Sequence, residues 1–279
     1  MISTSGLPSA LGLKLIESKR ADFEASIEKN RLNAKEIEAF RSRISQITSP
    51  KELVEDREVY SFVMKAYDLE DQIFGKAMMR KLLDSDPNDK TSLINKMTKS
   101  SFREMFNDLG FGAAKDKNKD GTSVQYQPAK FLDSTWVEEM VDRYVNTKLI
   151  NSELENNEFV GTALYVQSKA AKVTSWYTVL GDEKLQNFFY NALGMPEGMA
   201  STDIDAQVAT LKKKFDLSTL NDPGVLEKMT RRYIAISEAK AASANLSSNP
   251  ILQLFSNNGQ QAITSINLEG WSAIKANKY

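Results

Sequence analysis

The chain contains no cysteine and no histidine among its 279 residues. These absences exclude disulfides, thiol nucleophiles, zinc sites of the usual Cys/His kind, haem ligation by histidine and a Ser-His-Asp triad. Much of ordinary enzyme chemistry is therefore closed to the protein. The lack of cysteine does not fix the compartment, because a protein without disulfides works in either redox environment.

An excess of charge and long apolar runs are missing as well. Lys and Arg number 36 and Asp and Glu 37, so the formal net charge is -1 and no global field draws the chain onto nucleic acid or an anionic membrane. No stretch approaches the roughly 18 apolar residues of a membrane-spanning helix. The start of the chain, 1–14, lacks the basic and apolar regions of a secretory signal. We expect a soluble, cytoplasmic protein.

The residues that are present favour helices. Apolar residues recur at spacings of three and four, as in Val59, Phe62, Val63 and Ala66, whereas sustained period-two alternation is scarce. Ser49-Pro50 followed by Glu52 is typical of a helix start, with an N-cap, a proline at the first position and a capping-box acid. The sequence predicts an all-α fold, a multi-helix bundle containing a duplicated helical unit.

The duplication rests on segments that recur at matched core positions. The paired segments are Asp56–Leu69 with Asp182–Met195, then, at a second constant offset, Ala77–Asp84 with Ala209–Asp216 and Lys96–Lys99 with Lys228–Arg231. If the units superpose, Phe62 and Phe188 occupy equivalent buried sites. Because the shared positions are mostly core positions, this signal concerns packing more than chemistry.

Changes in composition divide the chain into segments. The predicted segments are a flexible N-terminal segment 1–19, an N-terminal helix 20–48, a first helical unit 49–110, a flexible loop 111–131, a second helical unit 132–243 and a loosely attached C-terminal tail 244–279.

A metal site is one chemical alternative within the predicted loop. Asp116, Asn118 and Asp120 followed by Gly121 match the first half of an EF-hand calcium loop, in which oxygen ligands converge around a sharp turn. The twelfth position, however, is Gln127 where a bidentate Glu belongs. The sequence therefore favours a solvated loop over a calcium site, and no other cofactor is indicated.

Charged clusters elsewhere are interpreted as solvated helix faces. The densest basic stretches are Lys212–Lys214 and Arg231-Arg232. The three lysines lie between the predicted core residues Leu211 and Phe215. A nucleic-acid site would need the basic residues on one face. Carboxylate pairs are numerous, and nothing in the sequence raises one pair over another as an acid/base or metal group. Trp136 and Trp176 have the helical spacing of core residues.

The polar tail carries more apolar surface than a free tail should expose. The candidate partner-binding residues are Leu252, Phe255, Ile263 and Trp271. Apolar clusters without cover are unfavourable in water, so we expect this tail either to dock on the body of the protein or to bind another protein.

Three stretches carry a resemblance to a known family. They are 59–71 (VYSFVMKAYDLED), 76–83 (KAMMRKLL) and 165–169 (YVQSK). The chain resembles, from about Arg20 to Ala242, a mostly alphaproteobacterial family catalogued as a domain of unknown function, number twelve-seventeen. Members of that family are often encoded among flagellar genes, and the family has no catalytic residues to carry over. The 116–121 loop departs from its pattern.

The sequence and the resemblance together favour a non-enzymatic helical binding or structural protein associated with the bacterial flagellum. It would be an accessory or assembly factor, cytoplasmic or exported by the flagellar route, with a protein partner, no nucleic acid and no membrane span. The alternative is an enzyme that uses carboxylates alone, or a calcium-binding regulator. The oligomeric state does not follow from the sequence.

Overall fold

The structure, a computed structural model, describes residues 3–111 and 128–248, except the side chains of 197 and 244–248. Its contacts divide the chain into two units, Met1–Ile236 and Ser237–Tyr279. Every regular element in the described ranges is helical, which confirms the predicted all-α class. None of the helices in these ranges is both long enough and apolar enough to span a membrane.

Fourteen α-helices occupy the described residues. Those before the gap are α1 Ser9–Ser18, α2 Arg20–Glu28, α3 Arg31–Arg43, α4 Pro50–Glu55, α5 Arg57–Ala66, α6 Lys76–Leu83, α7 Leu93–Lys96 and α8 Ser100–Leu109. Those after it are α9 Ser134–Asn156, α10 Glu158–Lys169, α11 Trp176–Leu180, α12 Glu183–Ala192, α13 Ile204–Lys214 and α14 Pro223–Ser248. Short 3-10 turns join several of them.

The N-terminal region is more ordered than its composition suggests. A flexible segment is predicted over 1–19, but α1 lies within it, and Leu13 and Ile16 of α1 are buried. The single helix predicted over 20–48 is instead α2, α3 and a 3-10 turn, because Asn30 caps a new helix by accepting from the backbone N–H of Leu32 at 3.0 Å.

Local capping explains where α4 begins. The Ser49 hydroxyl accepts from the Glu52 N–H at 3.2 Å, and the Glu52 carboxylate accepts from the Thr48 N–H at 2.7 Å. These bonds satisfy backbone donors that the first turn of a helix leaves unpaired. The hydrogen bonds from Thr48 also lower the pKa of Glu52. The predicted helix start is confirmed.

Two apolar clusters form the core of the unit Met1–Ile236. The first surrounds Phe62, whose ring stacks on Phe40 at 4.0 Å and on Tyr144 at 4.7 Å between centroids. The second surrounds Phe188, whose ring lies 4.9 Å from that of Tyr233. Helix α9 contributes residues to both clusters. The predicted apolar face of α5 and the predicted core position of Trp176 are confirmed as buried.

Two sets of helices follow one another in the same order. We call α3, α4, α5 and α9 the first helical set, and α10, α11, α12 and α14 the second. In each set the first helix ends in a 3-10 turn, Ile44–Gln46 or Ala170–Lys172. The caps of the next helices are Ser49 and Ser175, then Asp56 and Asp182, at the same separation of 126 residues (175 − 49 and 182 − 56).

The ends of α5 and α12 also match. Asp68 has φ 56° and Gly194 has φ 59°, so the chain turns left-handed at equivalent positions. In each case the next N–H returns to the helix: that of Leu69 donates to the Met64 carbonyl and that of Met195 to the Tyr190 carbonyl, both at 2.8 Å. This is the hydrogen-bond pattern of a helix C-terminus closed by a left-handed residue.

The last helices of the two sets correspond at a different separation. Asp133 caps α9, and the Asp222 carboxylate accepts from the Gly224 N–H at the start of α14. Tyr144 and Tyr233 lie the same 89 residues apart (222 − 133 and 233 − 144), and each contacts the central phenylalanine of its cluster. The correspondence supports a duplicated unit, which stays a prediction.

Part of the predicted match does not hold. The sequence pairs Lys96–Lys99 with Lys228–Arg231. Their structures differ, because Met97–Lys99 lie between α7 and α8, whereas 228–231 lie inside α14. If the unit is duplicated, the counterpart of α14 is α9. The segment from α6 to α8 is longer than α13 with its flanks, and this difference in length misaligns the sequences.

Candidate functional site

A polar cavity of about 330 Å³ lies where the end of α5 meets α8, α9 and α10. We call it the polar cavity. Its lining includes Tyr67, Asp68, Glu104, Arg143, Tyr165 and Lys169. These residues come from both helical sets and from α8, so their meeting depends on the tertiary fold.

An ionic network closes one wall of the polar cavity. Arg143 donates to Glu104 at 3.2 Å and to Asp108 at 3.0 Å, and Lys169 donates to Glu104 at 2.7 Å. Burial opposes ionisation of Glu104, but Lys169, together with Lys172 and Arg143, outweighs it and keeps the pKa of Glu104 below its usual range. The Glu104 carboxylate is therefore held ionised between two cations and is a poor proton donor near neutral pH.

The two tyrosines of the polar cavity are donors to carboxylates. The Tyr67 hydroxyl donates to Asp108 at 3.0 Å and that of Tyr165 donates to Asp182 at 2.5 Å. Burial, together with the neighbouring carboxylate, raises the pKa of both phenols. They remain protonated and cannot serve as bases at physiological pH.

Asp68 ties the two helical sets together beside the polar cavity. Its carboxylate accepts from Lys184 of α12 at 3.0 Å and from Asn151 of α9 at 3.1 Å. Its backbone carbonyl accepts from Lys99 at 2.9 Å. A left-handed φ is uncommon outside glycine, and the equivalent residue of the second set is Gly194. The side-chain bonds of Asp68 account for a non-glycine residue in this conformation.

The chemistry open to the polar cavity is limited by these pairings. The half-buried carboxylate of Glu104 is held in ion pairs with Arg143 and Lys169, while Glu139 and Asp142 line the cavity from exposed positions. Among residues 3–111 and 128–248 there is no group of three or more acidic side chains that could hold a metal ion. Acid/base catalysis by carboxylates alone pairs two carboxyl groups of different pKa, and here Glu104 is held in ion pairs with Arg143 and Lys169.

A second concavity is mainly apolar, and we call it the apolar groove. Its volume is about 630 Å³, and it runs between α1 and the start of α14 with Gln167 of α10 beside it. Leu13, Leu226 and Ile234 provide apolar wall, and Glu17 and Glu227 lie at its rim. A groove of this size and composition is typical of sites that bind small molecules or peptides.

One polar atom inside the apolar groove has no bonding partner. Thr230 is 2% exposed, and its hydroxyl makes no hydrogen bond within the part of the chain that the structure describes. A buried hydroxyl left unpaired costs about 1–3 kcal/mol. Because the hydroxyl oxygen is also inaccessible from outside, an occupant of the groove would not reach it, and the cost falls on the folded protein itself.

The predicted site residues are not among the residues that the structure describes. Asp116, Asn118 and Asp120 lie outside the described residues, and so do the predicted partner-binding residues of the tail. The latter are Leu252, Phe255, Ile263 and Trp271. The basic stretch Lys212–Lys214 is exposed in the last turn of α13, as predicted for a solvated face.

The sequence did not predict the polar cavity or the apolar groove as a site. Glu104, Arg143 and Lys169 come from three different helices, and no local pattern links them. One signal was available for the groove: Leu226, Thr230 and Ile234 follow a helical period in which a threonine interrupts an apolar stripe.

Comparisons with known proteins agree with this helical fold. Residues 66–226 match the model of the family described as "Protein of unknown function (DUF1217)". The X-ray crystal structure of protein AGR_C_984 from Agrobacterium tumefaciens, a Northeast Structural Genomics Consortium target, is similar over 86% of this chain and 98% of that chain, with a TM-score of 0.70 and 23% identity. At that identity the likeness shows the fold alone. A comparison with curated proteins finds no match.

Proposed function

Since the chain belongs to the family described as "Protein of unknown function (DUF1217)", we propose from its own surfaces that it is a non-enzymatic helical binding or structural protein. The apolar groove carries this proposal. Its lining is mainly apolar, and a partner protein would cover it. The partner we propose is another protein, and the C-terminal tail is a further candidate binding segment.

The polar cavity is where the enzymatic alternative would have to operate. An acid/base enzyme needs one group poised to give a proton and another to take it. In the polar cavity, Arg143 and Lys169 hold Glu104 ionised, and the raised pKa values of Tyr67 and Tyr165 keep both phenols protonated. These pairings favour a binding role over catalysis.

The flagellar setting is the second part of the proposal, and it rests on the family resemblance of the sequence. We propose that the protein acts as an accessory or assembly factor of the bacterial flagellum, in the cytoplasm or after export by the flagellar route. A chain without cysteine suits export in an unfolded state, because no disulfide has to be reduced before export.

Deleting the gene and scoring swimming motility and filament assembly tests the flagellar setting. We expect reduced swimming with fewer or shorter filaments, and restoration by a plasmid copy. Normal filaments and normal swimming in the deletion strain would reject the flagellar setting.

A further inference from the structure

The two apolar clusters meet at a polar junction. Among the described residues each buried apolar side chain belongs to one cluster or the other, and the partly buried Ile27 packs against both. Helix α9 runs through the two: Val145 lies in the first cluster and Leu149 in the second. The residues between them on α9 are polar, and Asn146 and Thr147 line the polar cavity. The clusters are therefore joined here by one continuous helix and by polar contacts around a cavity.

Two ion pairs cross this junction in the same direction, and we call them the latch. Lys169 of α10 donates to Glu104 of α8 at 2.7 Å, and Lys184 of α12 donates to Asp68, which follows α5, at 3.0 Å. Both lysines come from helices of the second cluster, and both carboxylates lie beside residues of the first. The two ammonium groups lie 5.8 Å and 4.8 Å from the centroid of the Tyr165 ring, so the two halves of the latch are close together.

The matching positions of the first helical set pair with each other. They are Arg43 and Glu58, at the separation already given for the caps (169 − 43 and 184 − 58). Arg43 donates to Glu58 at 2.5 Å, so this ion pair stays within its own set. In the second set both positions are lysines, which repel each other, and their ion pairs are made with carboxylates across the junction. The latch therefore exists only while the junction is closed.

Water and salt reach the latch. Its four side chains are between 20% and 32% exposed. Ion pairs with this exposure are screened by salt and contribute little free energy each. Asp68 also holds a left-handed φ of 56°, where the matching residue is Gly194, and strained backbone of this kind occurs at switch regions. The junction is therefore held closed by contacts that exchange readily with water.

We propose that the polar cavity is the cleft of a conformational joint, which the latch closes and whose opening follows release of the latch. In the open form the two clusters turn about the middle of α9, at 146–148, and the cavity admits molecules larger than water. A rise in ionic strength favours the open form, because it screens the latch. This inference goes beyond the proposed function, since it concerns a motion of the protein and holds whatever partner the protein binds.

Because the chain has no cysteine, one introduced thiol reports opening without background. Ala66 lines the polar cavity at the end of α5 and is 2% exposed, so dithiodipyridine, a neutral thiol reagent larger than water, reaches the thiol of Ala66→Cys when the joint opens. Ala192→Cys is the matched control. Ala192 holds the same position at the end of α12 (192 − 66, again the separation of the caps), is fully buried and is not part of the cavity lining. Its thiol therefore reports wider unfolding.

The rates of thiol modification are compared in the full-length protein with and without the latch. Lys169→Met together with Lys184→Met should raise the rate at Ala66→Cys at least about tenfold, because two partly exposed ion pairs are lost. The rate at Ala192→Cys should stay within about twofold, because local opening leaves the clusters folded. Lys35→Met removes an ion pair inside the first set and should change neither rate. An equal rise at both thiols, or no rise at Ala66→Cys, overturns the proposal.

Salt tests the latch without any substitution in it. Raising NaCl to about 1 M shortens the screening length to about 3 Å, and it should raise the rate at Ala66→Cys several-fold. The variant with Lys169→Met and Lys184→Met should lose this salt dependence, because it has no latch left to screen. A rate at Ala66→Cys that does not respond to salt while the latch is intact, or the same response without the latch, contradicts the joint.

Discussion

Replacing Asp68 by glycine separates backbone strain from side-chain bonding at the junction of the two helical sets. Asp68 has φ 56°, a region that costs an L-residue about 1 kcal/mol, and glycine removes that cost. Glycine also adds unfolded-chain entropy, worth about 0.5–1 kcal/mol against folding. The two backbone effects nearly cancel, so the measured change should report the side-chain bonds.

The side-chain loss can be sized from the structure. Asp68 accepts one bond from the charged Lys184 and one from the neutral Asn151. Bonds to charged groups contribute about 1.5–3 kcal/mol and neutral ones about 1 kcal/mol. Because the side chains of Asp68 and Lys184 are 29% and 32% exposed, water screens the pair, and we expect Asp68→Gly to destabilise the protein by about 1–2 kcal/mol.

Urea unfolding of Asp68→Gly, Lys184→Met and the double variant measures how much the side-chain bonds of Asp68 contribute to stability. The double-variant cycle should give a coupling of about 1 kcal/mol between Asp68 and Lys184. Gly194→Ala is the matched control, since it makes the reverse backbone change at φ 59° with the nearest atom 4.0 Å from the new Cβ, and by the same near-cancellation it should change stability by less than about 1 kcal/mol. If Asp68→Gly is more stable than the wild type, the bonds do not offset the strain and the reasoning fails.

Four further predictions follow from other parts of the chain. Phe62→Ala and Phe188→Ala should each lower the free energy of unfolding by about 3–5 kcal/mol in urea titrations, because both rings are fully buried; a loss below about 1 kcal/mol at either site contradicts the core assignment. The raised pKa of Tyr165 means that the folded state holds its proton more tightly than the unfolded state, so the contribution of Tyr165 to stability should be constant below about pH 10 and fall above it. Tyr165→Phe should reduce the loss of stability above about pH 10, and an unchanged loss would contradict the prediction. Calorimetric titration should show at most millimolar calcium affinity, and micromolar binding abolished by Asp116→Ala would reverse that expectation. Truncation after Ser248 should leave a folded protein with a modestly lower Tm but impaired assembly, and failure to fold would reject a purely binding role for the tail.

Local sequence signals predicted the helices well where a single segment contains all the information. The apolar face of α5 and the Ser49 cap depend on residues at most seven apart, so periodicity and capping chemistry were sufficient. The same holds for the all-α class. Helix α1 was missed because its polar start and glycine content resemble a flexible end, although Leu13 and Ile16 pack into the second cluster.

The candidate sites depend on contacts that no local signal reports. Glu104 meets Lys169 across 65 positions, and Asp68 meets Lys184 across 116. The proposed correspondence of α9 with α14 could not be predicted from the sequence, because it depends on the lengths of the intervening segments. Tyr144 and Tyr233 align only when the different lengths of the intervening segments are known, and the structure supplies those lengths.

Complementation of the deletion strain compares the binding and the enzymatic accounts most directly. One plasmid carries Leu226→Glu, which places a charge on the wall of the apolar groove, and another carries Glu139→Gln with Asp142→Asn, which removes the exposed carboxylates of the polar cavity. Swimming and filament length are scored at equal protein levels. The binding account predicts that the Leu226→Glu strain swims as poorly as the deletion strain, while the carboxylate variant swims normally. Normal swimming with Leu226→Glu and loss of swimming with the carboxylate variant would contradict it.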